Sequence, residues 1–314
     1  MKKYLTLIIL IACSTTVWAQ QDVQFTQFTR NKLFYNPGVA GASDGICLNA
    51  AHRSQWVGVE YAPSTQKFTA NIPMLSGGLS VNVTQDQIGN FNDVIAGVGY
   101  AHQMNIGSGT LGIGLRVNFR NKSMLTNGWV PPQTMNDASL IALQSNSMAT
   151  DLNFGLYYKA SDFYAGFSSS RLLETKDILE NNAGAPASIN GRRHYFLMGG
   201  YDYDLENGFV LQPALLLKTD LTATQLDINL AAEYNNEIWG GVSYRVNDAI
   251  AIMAGYNITP ELQVAYSYDI TTSTLNVSSN GSHEVSLRYC FTIDIPEPPG
   301  GSYDNPIWLG REWE

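Results

Sequence analysis

Apolar and polar residues alternate along the chain from residue 46 onward, in segments of about ten residues. The clearest segments place apolar side chains at every second position: Leu79/Val81/Val83, Leu111/Ile113/Leu115/Val117/Phe119, Leu152/Phe154/Leu156/Tyr158, Leu226/Ile228/Leu230/Ala232/Tyr234, Leu262/Val264/Tyr266/Tyr268 and Val285/Leu287/Tyr289/Phe291. Successive side chains of a strand point to opposite faces, so this period of two predicts β-strands, and helical spacing fits none of the segments. Weaker alternation at about 46–53, 65–73, 93–103, 163–170, 194–204, 209–219, 238–247 and 249–257 brings the prediction to about fourteen antiparallel strands.

The connections between these strands alternate in length. Long connections span 54–64, 85–92, 121–149, 171–193 and 272–282, whereas short ones span 74–77, 104–109, 161–162, 205–208, 236–237 and 258–261. Outer-membrane barrels have short periplasmic turns and longer outward loops. We therefore expect the long loops outside the cell and the chain termini on the periplasmic side. The short connection 247–248 breaks the rule.

The polar positions within the strands carry charges of both signs, for example Arg116 and Arg120 on one strand and Asp227 and Glu233 on another. Alternation alone does not say which face points outward, because a soluble barrel packs its apolar face inward. The loop asymmetry, an N-terminal leader and tyrosines near strand ends favour the membrane arrangement. The predicted fold class is all-β, a transmembrane antiparallel β-barrel over residues 46–293.

The first 19 residues have the layout of a secretory signal peptide: Lys2 and Lys3, an apolar run, and small Ala19 at the cleavage position. An alternative is a lipobox ending at Cys13, which would then be lipidated. No stretch reaches the roughly 18 apolar residues that a membrane helix needs. We expect an exported chain with a non-barrel segment at 20–45 and a periplasmic tail at 294–314.

Composition narrows the range of functions. Removing Lys2 and Lys3 with the leader leaves 16 basic against 27 acidic residues, a formal charge of −11, which disfavours nucleic-acid binding. The two remaining cysteines, Cys47 and Cys290, lack the paired spacing of a zinc site. The four histidines lie on separate predicted strands, without a Ser/His/Asp or Cys/His pattern around them. We predict no enzyme activity, no metal and no cofactor.

The segment 20–45 is rich in aromatic residues: Phe25, Phe28, Phe34 and Tyr35. A merely disordered leader would not need four aromatic rings. The segment either folds into the lumen as a plug or lies beneath the barrel as a docking strap, and its aromatic residues are candidates for binding a partner.

Arg53 and Trp56 lie at the outer end of the first predicted strand. Arginine and tryptophan dominate binding hot spots, so the pair is a candidate recognition element. The alternative is a girdle tryptophan with an arginine anchored to loop carbonyls.

Cys47 and Cys290 lie on the first and last predicted strands. Closure of the barrel makes these strands neighbours and places the two cysteines at similar depth. If the apolar residues of both strands face lipid, both cysteines face the lumen. An oxidising envelope permits a disulfide, but barrel shear could displace the pair, and a bond needs Cα atoms within about 7 Å. The sequence leaves a disulfide and two separate thiols open.

Five blocks of sequence carry a resemblance to a known family. They are QDVQFTQF at 21–28, YNPGVAG at 35–41, RSQWVG at 53–58, DQIG at 86–89 and GSHEVSLRY at 281–289. In this order they resemble the PorP/SprF family of outer-membrane proteins, which serves type IX secretion and gliding motility in Bacteroidetes.

The resemblance implies a barrel that supports export or surface anchoring of a large adhesin-type cargo. Its implied partners are outer-membrane lipid, the C-terminal domain of secreted cargo or an adhesin, and periplasmic peptidoglycan-associated lipoproteins or motor-ring proteins. It implies no catalytic residues. The aromatic tail after Phe291 departs from the family pattern and leaves the subgroup undecided. The alternative function is an outer-membrane pore or apolar-solute transporter.

Overall fold

The computed structural model describes residues 23–74, 76–124, 145–181 and 184–292. Its strands are β1 (Ile46–Ser54), β2 (Ser64–Met74), β3 (Gly77–Ile88), β4 (Phe91–Ile106), β5 (Gly109–Met124), β6 (Asn146–Lys159), β7 (Phe163–Ser170), β8 (Lys176–Glu180), β9 (Pro186–Asn190), β10 (His194–Tyr201), β11 (Tyr203–Asp204), β12 (Phe209–Thr219), β13 (Thr224–Tyr234), β14 (Ile238–Arg245), β15 (Ala249–Asn257), β16 (Leu262–Thr271) and β17 (Ser282–Phe291). Helical structure within the described ranges is limited to α1 (Lys32–Tyr35) and 3-10 turns at Phe28–Arg30, Pro37–Val39 and Thr274–Val277. The predicted leader and the predicted tail lie outside the described residues.

Fourteen of these strands form a closed antiparallel barrel, which confirms the predicted fold class. Strands that follow each other in the chain pair with each other, β10 pairs with β12, and β1 pairs with β17 to close the ring. β11 is a two-residue extension paired with β12, and β8 and β9 form a separate hairpin. No α-helix within the described residues is long and apolar enough to cross a membrane.

The barrel turns its apolar face outward. Along β5, Leu115 and Phe119 are 56% and 57% exposed, whereas Arg116 and Asn118 between them are buried. The other strands repeat this pattern, so the outer surface is a band of Val, Ile, Leu, Phe and Tyr. A soluble barrel would have the opposite arrangement, and the apolar exterior is what a lipid environment stabilises.

The barrel has two distinct ends. β1 begins and β17 finishes at one end, where most strands are joined by short turns; we call this the short-turn end. The opposite end carries residues 55–63, 171–193 and 272–281 and is called the long-loop end. The short and long connections thus lie at opposite ends of the barrel, as the alternation of their lengths in the sequence predicted.

Three predicted loops contain more strand than the alternation indicated. Residues 85–92 form strand apart from a turn at 89–90, β5 and β6 continue into the segment 121–149, and the segment 171–193 contains the β8–β9 hairpin. Polar residues such as Asp86 and Lys122 fill these extensions. β4 and β5 each have 16 residues, more than the roughly 9–11 that cross a bilayer. Their ends leave the lipid-facing band, so the two-residue pattern fades there.

Candidate functional site

Residues 23–44, which we call the plug, lie inside the barrel. From the long-loop end the chain runs through the 3-10 turn Phe28–Arg30, α1 and the 3-10 turn Pro37–Val39, and Gly45 then leads into β1. Of the two arrangements that the sequence left open, the structure has the plug. A docking strap beneath the barrel would leave these residues exposed, and most of them are buried.

The aromatic residues of the plug form one connected group. The ring of Phe34 meets those of Phe25 and Tyr35 edge-on at centroid distances of 5.1 and 5.0 Å. Phe28 and Tyr35 pack into a buried cluster with Phe196 of β10 and other lumen side chains. Phe25, Phe28 and Tyr35 are fully or almost fully buried and Phe34 is half-buried. We therefore assign these four rings to contacts between plug and barrel instead of to a surface that binds a partner.

A buried polar hub centred on Thr26 fixes the first part of the plug. The Thr26 hydroxyl donates to Asp269 at 2.8 Å and accepts from Arg53 at 3.0 Å and from Arg245 at 3.2 Å. The backbone N–H of Thr26 donates to Glu284 at 2.7 Å. Hydrogen bonds to charged partners are about twice as strong as neutral ones. One threonine thus joins the plug to β1, β14, β16 and β17.

The ion pairs of the hub link the same strands directly. Arg53 contacts Asp269 at 2.7 Å and Glu284 at 3.4 Å, and Arg245 contacts Asp269 at 3.1 Å and Asp227 at 3.4 Å. The sequence suggested that Arg53 is either exposed for recognition or anchored to loop carbonyls. Both interpretations were wrong, because Arg53 is a buried ion-pair partner. Removing one partner of a buried pair leaves an uncompensated charge, which costs about 3–5 kcal/mol.

Polar side chains of the barrel bind the backbone carbonyls of the plug. Arg116 donates to the carbonyls of Leu33 and Phe34 at 3.1 and 3.0 Å. Ser168 donates to the carbonyl of Tyr35 at 2.9 Å. Because α1 is a single turn, its last carbonyls have no helical partners of their own, and these donors satisfy them.

A row of barrel glycines seats the second part of the plug, Asn36-Pro37-Gly38. A Cβ atom on Gly112 would lie 2.0 Å from the carbonyl oxygen of Gly38, and one on Gly114 would lie 2.4 Å from the carbonyl of Pro37. A Cβ on Gly155 would lie 2.0 Å from the Asn36 side chain. Backbone therefore rests directly on backbone, which is a close approach that only glycine permits. We call Gly112, Gly114 and Gly155 the glycine cradle.

The plug enters the lumen from the opposite end to the one expected. Val23 and Gln24 line a cavity of about 770 Å³ at the long-loop end, beside Trp56 and Asp248. Gln24 also donates to Asp227 at 2.9 Å, near the start of β13. The sequence placed both termini at the periplasmic turns, but the first described residues lie at the mouth ringed by long loops. The expectation was wrong for the N-terminal segment, because the strand pattern says nothing about a segment that runs through the lumen.

Trp56 belongs to the long-loop end. Its backbone N–H donates to the Ser282 hydroxyl at 3.0 Å, and its φ of 49° is in the left-handed region. The next residue, Val57, exchanges backbone hydrogen bonds with Gly281 and Asn280 of the loop 272–281. Trp56 is half-buried and lines the cavity at this end.

Cys47 and Cys290 face each other across the seam between β1 and β17. They are direct partners in the register, with Cα atoms 4.1 Å apart, and their sulfur atoms are bonded. Both side chains are half-buried and line a cavity of about 790 Å³ at the short-turn end.

The histidines do not come together. His52, His102, His194 and His283 lie on β1, β4, β10 and β17. Across the described part of the chain there is no cluster of three His, Cys, Asp or Glu residues suited to a metal ion.

A comparison with protein-family models decides the family. The model described as type IX secretion system membrane protein PorP/SprF matches residues 17–289. The chain belongs to the PorP/SprF family. The match extends from before the plug almost to the end of β17, so plug and barrel are parts of one family unit. Together with the barrel fold, membership indicates an outer-membrane component of type IX secretion.

Solved structures provide only distant similarity. Omp33 of Acinetobacter baumannii has 10% identity and a TM-score of 0.45, with 80% of this chain and 100% of that chain covered. The toluene transporter TbuX of Ralstonia pickettii has 10% identity, a TM-score of 0.46 and coverage of 82% and 93%. A FadL homologue of Pseudomonas aeruginosa has 11% identity, a TM-score of 0.42 and coverage of 81% and 92%. No curated protein matches. At this level of similarity, nothing follows about what this PorP/SprF protein binds.

Sequence reasoning missed most members of the hub. Asp227, Arg245, Asp269 and Glu284 lie within four residues of the long-loop ends of their strands, on the side that alternates with the apolar face. Once the strands were assigned, the sequence indicated that these four residues lie at a similar depth in the barrel. Their contacts with Thr26 could not be predicted, because those contacts depend on the path of the plug.

Proposed function

We propose that this PorP/SprF protein is a plugged outer-membrane barrel that supports export or surface anchoring of an adhesin-type cargo and docks periplasmic partners, instead of acting as a solute channel. The observation that carries the proposal is the occupied lumen. The hub, the carbonyl contacts and the glycine cradle hold the plug along the height of the barrel. A barrel whose lumen is filled by its own chain is suited to anchoring other proteins.

The proposed orientation places the long loops outside the cell and the short turns in the periplasm. It is supported by the alternating connection lengths, which have this polarity in outer-membrane barrels. The strands β4 and β5 and the β8–β9 hairpin add height at the long-loop end. This orientation gives the cargo and the periplasmic proteins different ends of the barrel.

Each end offers a recess for a partner. The cavity at the long-loop end, about 770 Å³, carries apolar Trp56, Phe91 and Leu275 beside charged Lys122 and Asp248. We propose that the C-terminal domain of the cargo contacts this end. A peptidoglycan-associated lipoprotein or a motor-ring protein would contact the short-turn end, around the cavity of about 790 Å³.

Deleting the gene tests the proposal directly. We expect loss of surface display of a large adhesin, or loss of gliding, with uptake of small solutes nearly unchanged. Complementation with the wild-type chain should restore display. A deletion strain that displays all its cargo but loses uptake of one solute would replace the proposal with the transporter alternative.

The partners are tested by affinity purification from gently solubilised envelopes. We expect a cargo C-terminal domain and a periplasmic lipoprotein or ring protein to co-purify with the wild-type barrel. Purification of the barrel alone, under conditions that keep other envelope complexes intact, would contradict the docking role.

A further inference from the structure

Beyond this proposed function, we propose that Cys47–Cys290 is a thiol–disulfide exchange site, reducible by a dithiol that enters the barrel from the short-turn end. The site comprises the disulfide, the Arg288 guanidinium beside it and the cavity that exposes both. The cellular compartment in which the reaction would occur follows from the proposed orientation of the barrel. The chemistry of the site is independent of that orientation.

Arg288 is placed to stabilise a thiolate. Its Nη2 lies 3.9 Å from the Sγ of Cys47. Among the described residues Arg288 has no carboxylate within ion-pair distance, whereas Arg53, Arg120 and Arg245 each contact one. A half-buried guanidinium without a counter-ion is costly. Cleavage of the disulfide would supply the missing anion, because a neighbouring cation favours the thiolate over the thiol.

Charged side chains of both signs line the rest of the cavity. Its cationic lining residues are Arg30, Lys32, Lys159 and Arg288, and its acidic ones are Asp44, Asp202 and Glu261. The three carboxylates are exposed, where solvent screens them, while Arg30, Lys32 and Arg288 are half-buried. Burial, with the charge of Arg30, lowers the pKa of Lys32 to about 7. Lys32 is therefore largely neutral at pH 8, and Arg30 is paired with Glu233 at 3.1 Å. Arg288 is thus the cation of the lining that is placed to stabilise a thiolate of Cys47.

Access to the disulfide is through the same cavity. Its volume of about 790 Å³ and its lining by the turn residue Ser161 and by Thr292 place its opening at the short-turn end. Cys47 and Cys290 are both half-buried and both line it. A structural disulfide buried in a core would offer no such approach to an attacking thiolate.

The exchange proceeds in two displacements. A thiolate of the dithiol attacks the Sγ of Cys290; the S–S bond breaks, and its electron pair remains on the Sγ of Cys47 as a thiolate beside Arg288. The second thiol of the donor then attacks the donor's own sulfur in the mixed disulfide. The donor departs as an intramolecular disulfide, and the Sγ of Cys290 is released. Two electrons pass to the protein; of the two protons, one goes to Cys290 and the other to solvent or to Cys47. A leaving thiol of low pKa leaves faster, so Arg288 promotes the first displacement.

The test is a redox titration of the purified full-length barrel in detergent at pH 8. Mixtures of reduced and oxidised dithiothreitol are quenched with acid, and free thiols are counted by maleimide labelling and mass spectrometry. For Arg288→Gln we expect about a fivefold higher ratio of reduced to oxidised dithiothreitol at half-reduction. Arg288→Lys should stay within about twofold of wild type, and the long-loop control Arg192→Gln should not differ from it. Compact migration of unboiled samples verifies that each variant has folded.

A second measurement separates thiolate stabilisation from a packing role. In Cys290→Ser, the pH midpoint for alkylation of Cys47 should lie below the usual value of about 8.5, and adding Arg288→Gln should raise it by about one pH unit. Equal midpoints with and without Arg288, or two freely labelled thiols in the unreduced wild-type barrel, would overturn the proposal. Because the protein is purified, these outcomes do not depend on adhesin display.

Discussion

Filling the glycine cradle should displace the plug and open the barrel. The variant is Gly112→Ala/Gly114→Ala. The new Cβ atoms would lie 2.0 Å from the Gly38 carbonyl oxygen and 2.4 Å from the Pro37 carbonyl, whereas ordinary contacts begin near 3.4 Å. Plug and strand must therefore separate by about 1 Å or more. Overpacking of this kind costs about 1–3 kcal/mol per site, and the two neighbouring sites need not add.

The plug should move and β5 should not. β5 is paired with β4 and β6 along nearly its whole length, so bending it disrupts two hydrogen-bond ladders. The plug at Asn36-Pro37-Gly38 is held by fewer bonds, among them Asn36 to the Leu156 carbonyl and Gln103 to the Gly38 carbonyl. Since the hub around Thr26 is untouched, the first part of the plug should stay in place while the second part lifts off the cradle.

Conductance in planar bilayers measures the result. We expect little current through the wild-type barrel and a stable ohmic leak through the double variant, together with a lower temperature for loss of compact migration on gels. Gly240→Ala is the matched control, because its Cβ would meet only the Met253 carbonyl, at 3.7 Å. A double variant that matches Gly240→Ala in both measurements would refute the seating of the plug. Lower stability without a leak would show instead that the strand moves.

Three further predictions use the same gel assay of thermal stability. Thr26→Val removes the hydroxyl at the centre of the hub and should cost about 1–3 kcal/mol, whereas Thr26→Ser should stay close to wild type; equal losses would deny the hydroxyl its role. Arg53→Met should cost about 3–5 kcal/mol, and adding Glu284→Gln should recover part of it; a further loss instead would contradict the ion-pair account. Because the folded pKa of Lys32 is about 7 and its ordinary value is 10.5, unfolding takes up a proton between these pH values, so stability should rise from pH 7 to pH 10. Lys32→Met should flatten this rise in stability. An unchanged dependence of stability on pH in that variant would show that other groups cause the rise.

The barrel could be predicted from the sequence because one face of each strand meets lipid. On β5, Leu115 and Phe119 indicate the lipid-facing side, and the polar residues between them indicate the side that faces the lumen. Where strands leave the lipid band, as at Asp86 and Lys122, polar residues lie on both faces and the predicted strands ended too early. β8 and β9 were missed for a related reason: their five residues each are too short for a period of two to stand out.

The lumen was harder to predict than the barrel. Four aromatic residues in 20–45 indicated a packed segment, but the direction of that segment depends on individual contacts such as Gln24 with Asp227. The same holds for Arg53, which was singled out for its residue type and proved to be a buried ion-pair partner. Residue type indicated that these positions mattered, whereas their contacts required the register of strands distant in sequence.

The hub also constrains the order of assembly. Arg53 is on the first strand, and its partners Asp269 and Glu284 are on the last two, more than 200 residues later in the chain. These contacts form only when β1 meets β17, and contacts between such distant residues form slowly because a long loop must close first. The plug precedes β1 in the chain, so it is already synthesised when the ring closes and can be enclosed without threading. Until then the carboxylates of the final hairpin lack Arg53 as a counter-ion. A barrel that closes in a shifted register would keep part of that charge imbalance, and one that closes without its plug would lose the hydrogen bonds that Thr26 makes to the hub. Both losses give the assembling chain an energetic preference for the correctly filled ring.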